Sequence, residues 1–500
     1  MKNQPPTSSL AIIDMGSNAI RLNIYAGLTR VPQCLYEEKA FCRLGAKLGT
    51  EKRLCQVGKE TAKSALLRFF QIIKSMKVAE SVVLATEVFR EAEDGLQFIK
   101  ELEGFIKAPI TLLPWEHEAT IAAHGVISAF PEASGITADY GGGSLEMTHL
   151  DKDHVQEMIS LPIGSLTLKS RVGNDHADAR KFVLEHLENI PWLKSLKKKK
   201  LYLTGGAWRS LGALHRKQTS YPLPLIYGYS PDPDEFCDYL RHLQNLPLKQ
   251  LERLPHRKNK EELQMAALAL ETLIQFVNPR QVFFSTYGLR EGYIYQALPK
   301  SEKEKLPFLS ICHQREQRTP IVEGHPKALL QWFMPLFPDL TDWEQMQLYC
   351  ACLLSEIAWE TPDEYRVEQA FLTVVGMSLM GLSHHEHIFL AYTLSNRYGD
   401  HLYREYKEIV EYFLTPSQKE RAERLGLALR LGMVVSGNCP EILKQTSLRQ
   451  SDEGIVLKLP KDFFYDPLIL PTELSILGEA FGGFGKIEEE QPQKTEVPYF

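Results

Sequence analysis

Three glycine-containing turns in the first half of the chain carry the residue types that bind phosphate. Each follows an apolar, strand-like run, and they are Asp14-Met-Gly16-Ser17-Asn18, Asp139-Tyr-Gly141-Gly142-Gly143-Ser144 and Thr204-Gly205-Gly206. Backbone N–H groups in such turns surround phosphate oxygens, and an aspartate beside them is a suitable ligand for a divalent cation. A single Asp-x-Gly-Ser turn between strands is most often an ordinary hairpin turn, so the prediction depends on the three turns together.

The second turn has two acidic neighbours. Glu146 lies two residues after Ser144, so the two-residue period of a strand returns it to the same face. Asp139 and Glu146 are therefore predicted to border one loop. The third turn, Gly205-Gly206, ends a strand and begins a helix, where free N–H groups and the helix dipole favour an anion. Together these features predict an anion site with carboxylates beside it.

The elements that position these turns are duplicated. The strand–turn–strand opening AIIDMGSNAIRLNIY is repeated as GITADYGGGSLEMTHL, with Asp14 and Asp139 125 residues apart, about one domain length. This repeat predicts two α/β halves, residues 1–125 and 126–300, followed by a charged linker at 298–306. The remaining chain has long helical patterns and predicts a mainly helical domain over 308–500, with a possible small subdomain from about 440.

Composition limits the class of protein. The chain has 500 residues, 44% of them hydrophobic, and a net charge of −6, which is typical of a globular protein without a general basic field. Neither nucleic acid nor a membrane is predicted as a partner. The eight cysteines form no disulfide or zinc pattern, and the N-terminus has no apolar signal segment. We therefore expect a cytoplasmic protein with reduced cysteines.

Several motifs occur in the order seen in one enzyme family. They are Asp14-x-Gly-Ser-Asn18, Ala85-Thr86, Arg90-Glu-Ala92, Glu118-Ala119, Asp139-x-Gly-Gly-Gly-Ser-x-Glu146, Pro162-Ile-Gly164, Gly205-Gly206 and Tyr287-Gly-Leu-Arg-Glu-Gly292. As a set, over about residues 8–300, they resemble the exopolyphosphatase/guanosine-pentaphosphate phosphohydrolase family. The resemblance implies two ribonuclease-H-like domains of the actin and sugar-kinase type, with an anion site between them. It also implies an HD-like helical C-terminal domain and a homodimer.

The resemblance also implies roles for individual residues. Glu118 would be the general base, and Glu146 and Arg90 would complete the catalytic group. Asp14, Asp139 and Glu146 would hold Mg²⁺ or Mn²⁺. The terminal phosphate would be bound by the three turns, that is by Gly16, Ser17, Asn18, Gly141, Gly142, Gly143, Ser144, Gly205 and Gly206. In the helical domain, Ser355 and Glu356 stand where a working HD site has its His-Asp pair, so this domain is expected to bind or shape substrate.

A long polyanion needs cations along a groove. Basic residues of the second half are the candidates for such a polyphosphate track, and they are Lys197, Lys198, Arg209, His215, Arg216, Lys217, Arg257, Lys258 and Lys260. The run at 197–200 precedes a strand, however, and a solvated turn is its simpler interpretation.

The main hypothesis is an exopolyphosphatase that releases orthophosphate stepwise from inorganic polyphosphate. Hydrolysis of the 5′-terminal phosphate of guanosine pentaphosphate stays open, because both substrates present a terminal phosphate to the same turns. A non-catalytic sensor that binds guanosine penta- or tetraphosphate or another nucleotide is a further alternative. An ATP-dependent sugar kinase shares the superfamily fold, but the motifs above extend beyond the turns common to that superfamily.

Overall fold

The structure is a computed structural model that describes residues 9–173, 175–251 and 260–490. The chain folds as two compact units, Met1–Pro307 and Phe308–Phe500. The first unit contains both α/β halves, and the second is mainly helical. The second unit begins at Phe308, the residue at which the predicted helical domain also begins. None of the described helices is long and apolar enough to cross a bilayer.

The first half is built on a five-stranded mixed sheet. Its strands are β1 (Leu10–Met15), β2 (Ile20–Tyr25), β3 (Cys34–Ala40), β4 (Glu80–Ala85) and β5 (Thr111–Leu112). Their order is β3-β2-β1-β4-β5, with β4 and β5 parallel to β1 and the other pairs antiparallel. The helices are α1 (Leu48–Glu51), α2 (Gln56–Ser75), α3 (Glu87–Glu91), α4 (Gly95–Ile106) and α5 (Trp115–Ala129).

The second half repeats this sheet. Its strands are β6 (Gly135–Tyr140), β7 (Leu145–Asp151), β8 (His154–Leu161), β9 (Lys200–Thr204) and β10 (Gln281–Phe284), in the order β10-β9-β6-β7-β8. The helices are α6 (Ser165–Val172), α7 (His176–Glu188), α8 (Pro191–Ser195), α9 (Gly206–Gln218), α10 (Pro233–Asn245), α11 (Leu248–Leu251), α12 (Lys260–Val277), α13 (Leu289–Ala297) and α14 (Lys300–Lys303).

The two sheets have the same topology. An antiparallel meander forms one side of each sheet, and two parallel strands form the other. The duplication predicted from the two Asp-Gly turns is thus confirmed, and β1 and β6 are the equivalent central strands. Both end at the edge where the glycine turns lie. Ligands of open α/β sheets bind outside the carboxyl ends of such strands.

Both faces of β1 are buried, which explains its continuous apolar run. Leu10 and Ile12 pack on one face with Ile121 of α5 and Ile294 of α13, whereas Ile13 and its neighbours face the helices on the other side. α5 also packs against the second sheet through Val126 and Ile127. The pair α5 and α13 therefore lies between the two sheets and connects the halves.

This helix pair depends on glycine. A Cβ on Gly292 of α13 would lie 1.8 Å from the carbonyl oxygen of Ile121, and one on Gly125 of α5 would lie 2.2 Å from that of Gly288. These oxygens belong to backbone and cannot move aside. The two helices approach so closely because neither carries a side chain at the crossing.

The second unit contains α15 (Pro307–Glu316), α16 (His325–Phe333), α17 (Asp342–Leu353), α18 (Arg366–Val375), α19 (His384–Tyr398), α20 (Arg404–Phe413), α21 (Pro416–Ser436), α22 (Pro440–Lys444) and α23 (Ile469–Ala480). A small sheet of β11 (Ser447–Ser451), β12 (Gly454–Pro460) and β13 (Phe484–Glu490) follows α22. Glu356 forms an ion pair with Arg397 at 2.6 Å.

Some local predictions are wrong. The expected linker at 298–306 contains the short helix α14, and the segment 86–94 contains α3. Strands β3 and β8 were not identified in the sequence. Both are third strands of a meander with a partly exposed face, so they lack the apolar run that identified β1 and β6.

The helix crossing generates a stability prediction. Gly292→Ala should lower the free energy of unfolding of the first unit by about 1–3 kcal/mol or more, because the methyl group collides with backbone. Gly104→Ala is the matched control, since a Cβ on Gly104 in α4 meets nothing within 4 Å. That change should stabilise the helix by about 0.5–1 kcal/mol. Chemical unfolding followed by circular dichroism measures both, and equal stability of the two variants would contradict the crossing.

Candidate active site

The first glycine turn, between β1 and β2, is held from behind by the segment 43–45. The amide of Arg43 donates to the carbonyl of Asn18, and that of Gly45 donates to the carbonyl of Ser17, both at 3.0 Å. Within the described ranges, the N–H groups of Ser17 and Asn18 make no hydrogen bond of their own. Their donors are thus available to an anion.

The second turn is oriented by the start of α6. The amide of Gly164 donates to the carbonyl of Gly143 at 2.9 Å, and the amide of Leu166 donates to the carbonyl of Gly142 at 2.7 Å. A Cβ on Gly164 would lie 2.3 Å from the carbonyl carbon of Gly143, which explains the Pro-Ile-Gly motif. In the part of the chain that the structure describes, the N–H groups of Gly142 and Gly143 have no partner.

The two turns meet across the halves. A Cβ on Gly142 would lie 3.1 Å from the Cβ of Ser17, so the turns are in van der Waals contact. Both line one cavity of about 180 Å³. The predicted phosphate-binding and metal-binding residues and Glu118 all line it, that is Asp14, Gly16, Ser17, Asn18, Glu118, Asp139, Gly141, Gly142, Gly143, Ser144, Glu146, Gly205 and Gly206. The structure thus brings the three turns to one site.

Glu118 lies in the first turn of α5 and is buried. Its Oε2 accepts a hydrogen bond from Nη1 of Arg90 at 2.7 Å, and the same nitrogen donates to the carbonyl of Leu113 at 2.6 Å. Burial raises the pKa of Glu118 to about 7, although the charge of Arg90 opposes this rise. A carboxyl group with such a pKa is suited to accept a proton near neutral pH.

Arg90, which the resemblance assigns to the catalytic group, lies beside Glu118. Arg90 does not line the cavity, and its guanidinium is bonded to Glu118 and to backbone. These bonds make Arg90 a positioning residue for Glu118.

Asp139 and Glu146 are opposite each other in the register of β6 and β7. The hydroxyl of Ser160 donates to Oε1 of Glu146 at 3.0 Å. Burial raises the pKa of both carboxyl groups, and the nearby charge of Glu118 raises that of Glu146 further. A cation would relieve this repulsion, so the charge of the cavity fits the metal that the resemblance implies.

The arrangement suits a cation that has few protein ligands. Among the described residues, no group of three or more His, Cys, Asp or Glu side chains is placed to hold a metal ion. A cation would therefore be bound by one or two carboxylates, with phosphate oxygens and water completing its coordination. Mg²⁺ is commonly bound in this way.

Three arginines line the same cavity. Arg21 comes from β2, Arg209 from α9 and Arg290 from α13. Arg209 donates to the carbonyl of Thr286 at 2.8 Å, and Arg290 donates to Oδ1 of Asn23. Across the described segments, the guanidinium of Arg21 makes no hydrogen bond or ion pair. Burial, together with the smaller effects of the Arg21 and Arg290 charges, lowers the pKa of Arg209 to about 10.

The sequence analysis missed Arg21, although a signal was present. Asp14 pairs with Arg21 in the register of β1 and β2 as Asp139 pairs with Glu146 in the second half. Both partners lie seven residues after their aspartate. The duplication therefore places a guanidinium in one half where the other half has a carboxylate. Arg209 was assigned to the track, but it belongs to this cluster.

Among the described track residues, His215, Arg216, Lys217, Lys197 and Lys198 do not line the cavity. His215 is buried beside Tyr229, Phe236 and Tyr239, and burial lowers its pKa to about 4, so it carries no charge. This part of the prediction is wrong. Arg216 donates to the carbonyl of Leu223, and Lys217 is exposed near the end of α9, about 16 Å along the helix from Gly206.

Lys197 and Lys198 are exposed and precede β9. Since Gly205 follows that strand, the two lysines lie at the opposite edge of the sheet, about 17 Å from the turns. Their place in a polyphosphate track stays a prediction. Arg257 and Lys258 lie outside the described residues, and Lys260 begins α12.

Comparison with known proteins shows which family the chain belongs to. Residues 23–301 match the model of the Ppx/GppA phosphatase family. The chain belongs to that family. Residues 323–469 match a second model, described as exopolyphosphatase, C-terminal. The Ppx/GppA resemblance expected from the motifs is thus confirmed, whereas the HD-like character of the helical unit and the homodimer stay predictions.

Individual relatives are more distant. Retrograde regulation protein 2 of Saccharomyces cerevisiae is 27% identical, over 78% of this chain and 73% of that protein. The crystal structure of an exopolyphosphatase from Cytophaga hutchinsonii matches with a TM-score of 0.53 and 20% identity, over 58% of this chain and 97% of that one. An exopolyphosphatase-like protein matches with a TM-score of 0.52 and 18% identity, over 58% and 98% of the two chains. These structures show the shared fold.

One more carboxylate of this Ppx/GppA member lines the cavity, and it carries no role in the sequence analysis. Glu87, the first residue of α3, is buried and accepts a hydrogen bond from the hydroxyl of Ser17 at 3.2 Å. Burial raises its pKa from 4.5 to about 7. The sequence signal for Glu87 is its position just after β4, where the second half has Gly205 and Gly206 just after β9.

The raised pKa of Glu87 predicts how stability changes with pH. The folded state holds this proton more tightly than the unfolded state, so the native protein loses stability as the pH rises from about 4.5 to about 7. Glu87→Gln removes the loss. The variant should exceed the wild type by about 3 kcal/mol above pH 7 and by little near pH 4.5. Chemical unfolding at both pH values checks this, with the exposed Glu91→Gln as a control that gains nothing; a gain independent of pH would contradict it.

Proposed function

We propose that the chain is an exopolyphosphatase that hydrolyses the terminal phosphoanhydride of inorganic polyphosphate and releases orthophosphate processively. The observation that carries the proposal is the meeting of two glycine turns with unbonded amides at one cavity, with Glu118 in its wall. Membership of a phosphatase family and the match of residues 323–469 to an exopolyphosphatase C-terminal model support it.

The terminal phosphate is placed between the first and second turns. The amides of Ser17 and Asn18 come from one half, and those of Gly142 and Gly143 come from the other. Each turn is braced by hydrogen bonds to its carbonyls, so the donors are oriented before the phosphate arrives. Oriented donors need no reorganisation as charge develops on the phosphoryl oxygens.

Water is activated by Glu118 in this proposal. Its carboxylate accepts the proton as the water oxygen attacks the terminal phosphorus, and the bond to the bridging oxygen breaks. Arg90 fixes the carboxylate by the 2.7 Å ion pair. One or two of Asp14, Asp139 and Glu146 would hold Mg²⁺, which would neutralise charge on the phosphate oxygens.

The arginine cluster is the proposed site for the following phosphates of the chain. Arg21, Arg209 and Arg290 line the cavity together with Asp14 and Gly205 of the turns. Arginine binds phosphate oxygens through its planar fork of donors. The guanidinium of Arg21 has no protein partner among the described residues and is therefore available to the polyphosphate.

Replacing Glu118 tests the base. Glu118→Gln should retain tripolyphosphate binding and lose at least about tenfold in phosphate release, since the amide cannot accept the proton. The exposed Glu116→Gln on the same helix is the matched control and should retain full activity. Phosphate release and calorimetric binding measure the two effects. Near-normal turnover in Glu118→Gln would remove the base assignment.

The pH profile gives a second readout. Below about pH 7, kcat/KM should fall about tenfold per pH unit as Glu118 becomes protonated. Arg90→Gln should move this acidic limb to higher pH, because the charge of Arg90 holds the pKa of Glu118 down. An unmoved limb would mean that another group titrates. Turnover that is absent with every divalent cation, despite tight binding, would favour the sensor alternative.

Arg21 should strengthen the binding of polyphosphate more than the binding of orthophosphate. Arg21→Met should raise KM for tripolyphosphate about tenfold or more and change inhibition by orthophosphate much less, because the lost bonds are to the inner phosphates. Arg280→Met, which precedes β10 at the far edge of the sheet, is the control. Equal effects on both ligands would place Arg21 at the terminal phosphate. The same assay with guanosine pentaphosphate as a competitor decides which substrate is preferred.

A further inference from the structure

The side chain of Glu87 lies inside the cradle assigned above to the terminal phosphate. In the first turn, the Ser17 hydroxyl donates to its Oε2 at 3.2 Å. In the second turn, its carboxyl group lies against Gly143, where a Cβ would be 1.4 Å from Oε2 and 2.5 Å from Oε1. A carboxyl group of the protein thus bridges the two turns whose donors would hold a phosphate.

The duplicated fold explains why this side chain reaches the cradle. β4 ends at Ala85, and Glu87 begins the next helix at the edge where the turns lie. In the second half, β9 is followed by Gly205 and Gly206, which have no side chains. The equivalent place is open in one half and filled by a carboxylate in the other.

A bound phosphate and an ionised Glu87 compete for the same space. They also repel each other, because both are anions in a site with little water. Glu118 and Glu146 face the same region, and the charge of Glu87 raises the pKa of both. On its own helix, the charge of Arg90 lowers the pKa of Glu87 and that of Glu91 raises it, with smaller effects than burial. These neighbours do not neutralise the carboxylate.

We propose that Glu87 occupies the phosphate cradle as an internal competitor and thereby sets how tightly this site binds the end of a phosphate chain. The inference depends on the proposed function, since it assigns the same two turns to the terminal phosphate. Binding requires the carboxyl group to leave the space between Ser17 and Gly143. Departure of Glu87 also frees the Ser17 hydroxyl for the substrate.

Removing the side chain of Glu87 from the cradle is the direct test. Glu87→Ala should lower KM for tripolyphosphate, and the dissociation constant of orthophosphate, by about tenfold or more near pH 8, with kcat changed less than KM. Steady-state phosphate release and calorimetric titration measure these constants. The control is Glu91→Gln, which removes an exposed charge four residues later on the same helix and should change neither constant.

The outcomes separate the inference from the function. If the wild type binds both ligands and Glu87→Ala binds them no better, or more weakly, the competitor role is overturned and the proposed function stands. If neither protein binds either ligand, the proposed function fails and the inference fails with it.

A second pair of variants tests the placement without catalysis. Gly143→Ala in the wild-type background puts a methyl group onto the Glu87 carboxyl group, whereas in a Glu87→Ala background that space is free. We expect a marked loss of unfolding free energy in the first case and a much smaller one in the second. An equal loss in both backgrounds would show that Glu87 does not lie on Gly143 and would overturn the inference.

Discussion

The site is governed by the burial of many charges in one small cavity. Five carboxylates line it, those of Asp14, Glu87, Glu118, Asp139 and Glu146. Each buried carboxylate is poorly solvated, and each raises the cost of ionising the others. Four cationic side chains, Arg21, Lys39, Arg209 and Arg290, line the same cavity and offset part of this charge. A cavity with this balance favours a ligand that brings both anionic oxygens and a divalent cation.

The duplication supplies the geometry, and its asymmetry supplies the chemistry. Two sheets of the same topology bring equivalent turns together at the carboxyl ends of β1 and β6. At equivalent positions, one half has Arg21 and the other has Glu146. After the equivalent parallel strands, one half has Glu87 and the other has glycine. Carboxylates and guanidinium groups from both halves therefore line one cavity, although the two sheets have the same topology.

The position of Glu118 depends on the helix pair between the sheets. α5 carries Glu118 at its start and contacts both sheets along its length. Glycines at 125 and 292 let α5 and α13 pack at backbone distance, and α13 delivers Arg290 to the cavity. Small shifts of this pair would move Glu118 and Arg290 together. Arg90 adds a further restraint, because its guanidinium joins Glu118 to the backbone at Leu113.

The sequence by itself determined the turns, the duplication and the start of the helix that carries Glu118. These features are local: a glycine turn after an apolar strand has the same chemistry wherever the chain places it. The periodicity of apolar residues after residue 308 likewise predicted the helices of the second unit. Only the tertiary structure decided which side chains converge. Arg21, Arg209 and Arg290 come from elements far apart in the chain, His215 is buried among aromatic rings, and Arg90 faces Glu118 rather than the cavity. Glu87 reaches Gly143 only because the two halves pack against each other, and no local pattern records that contact.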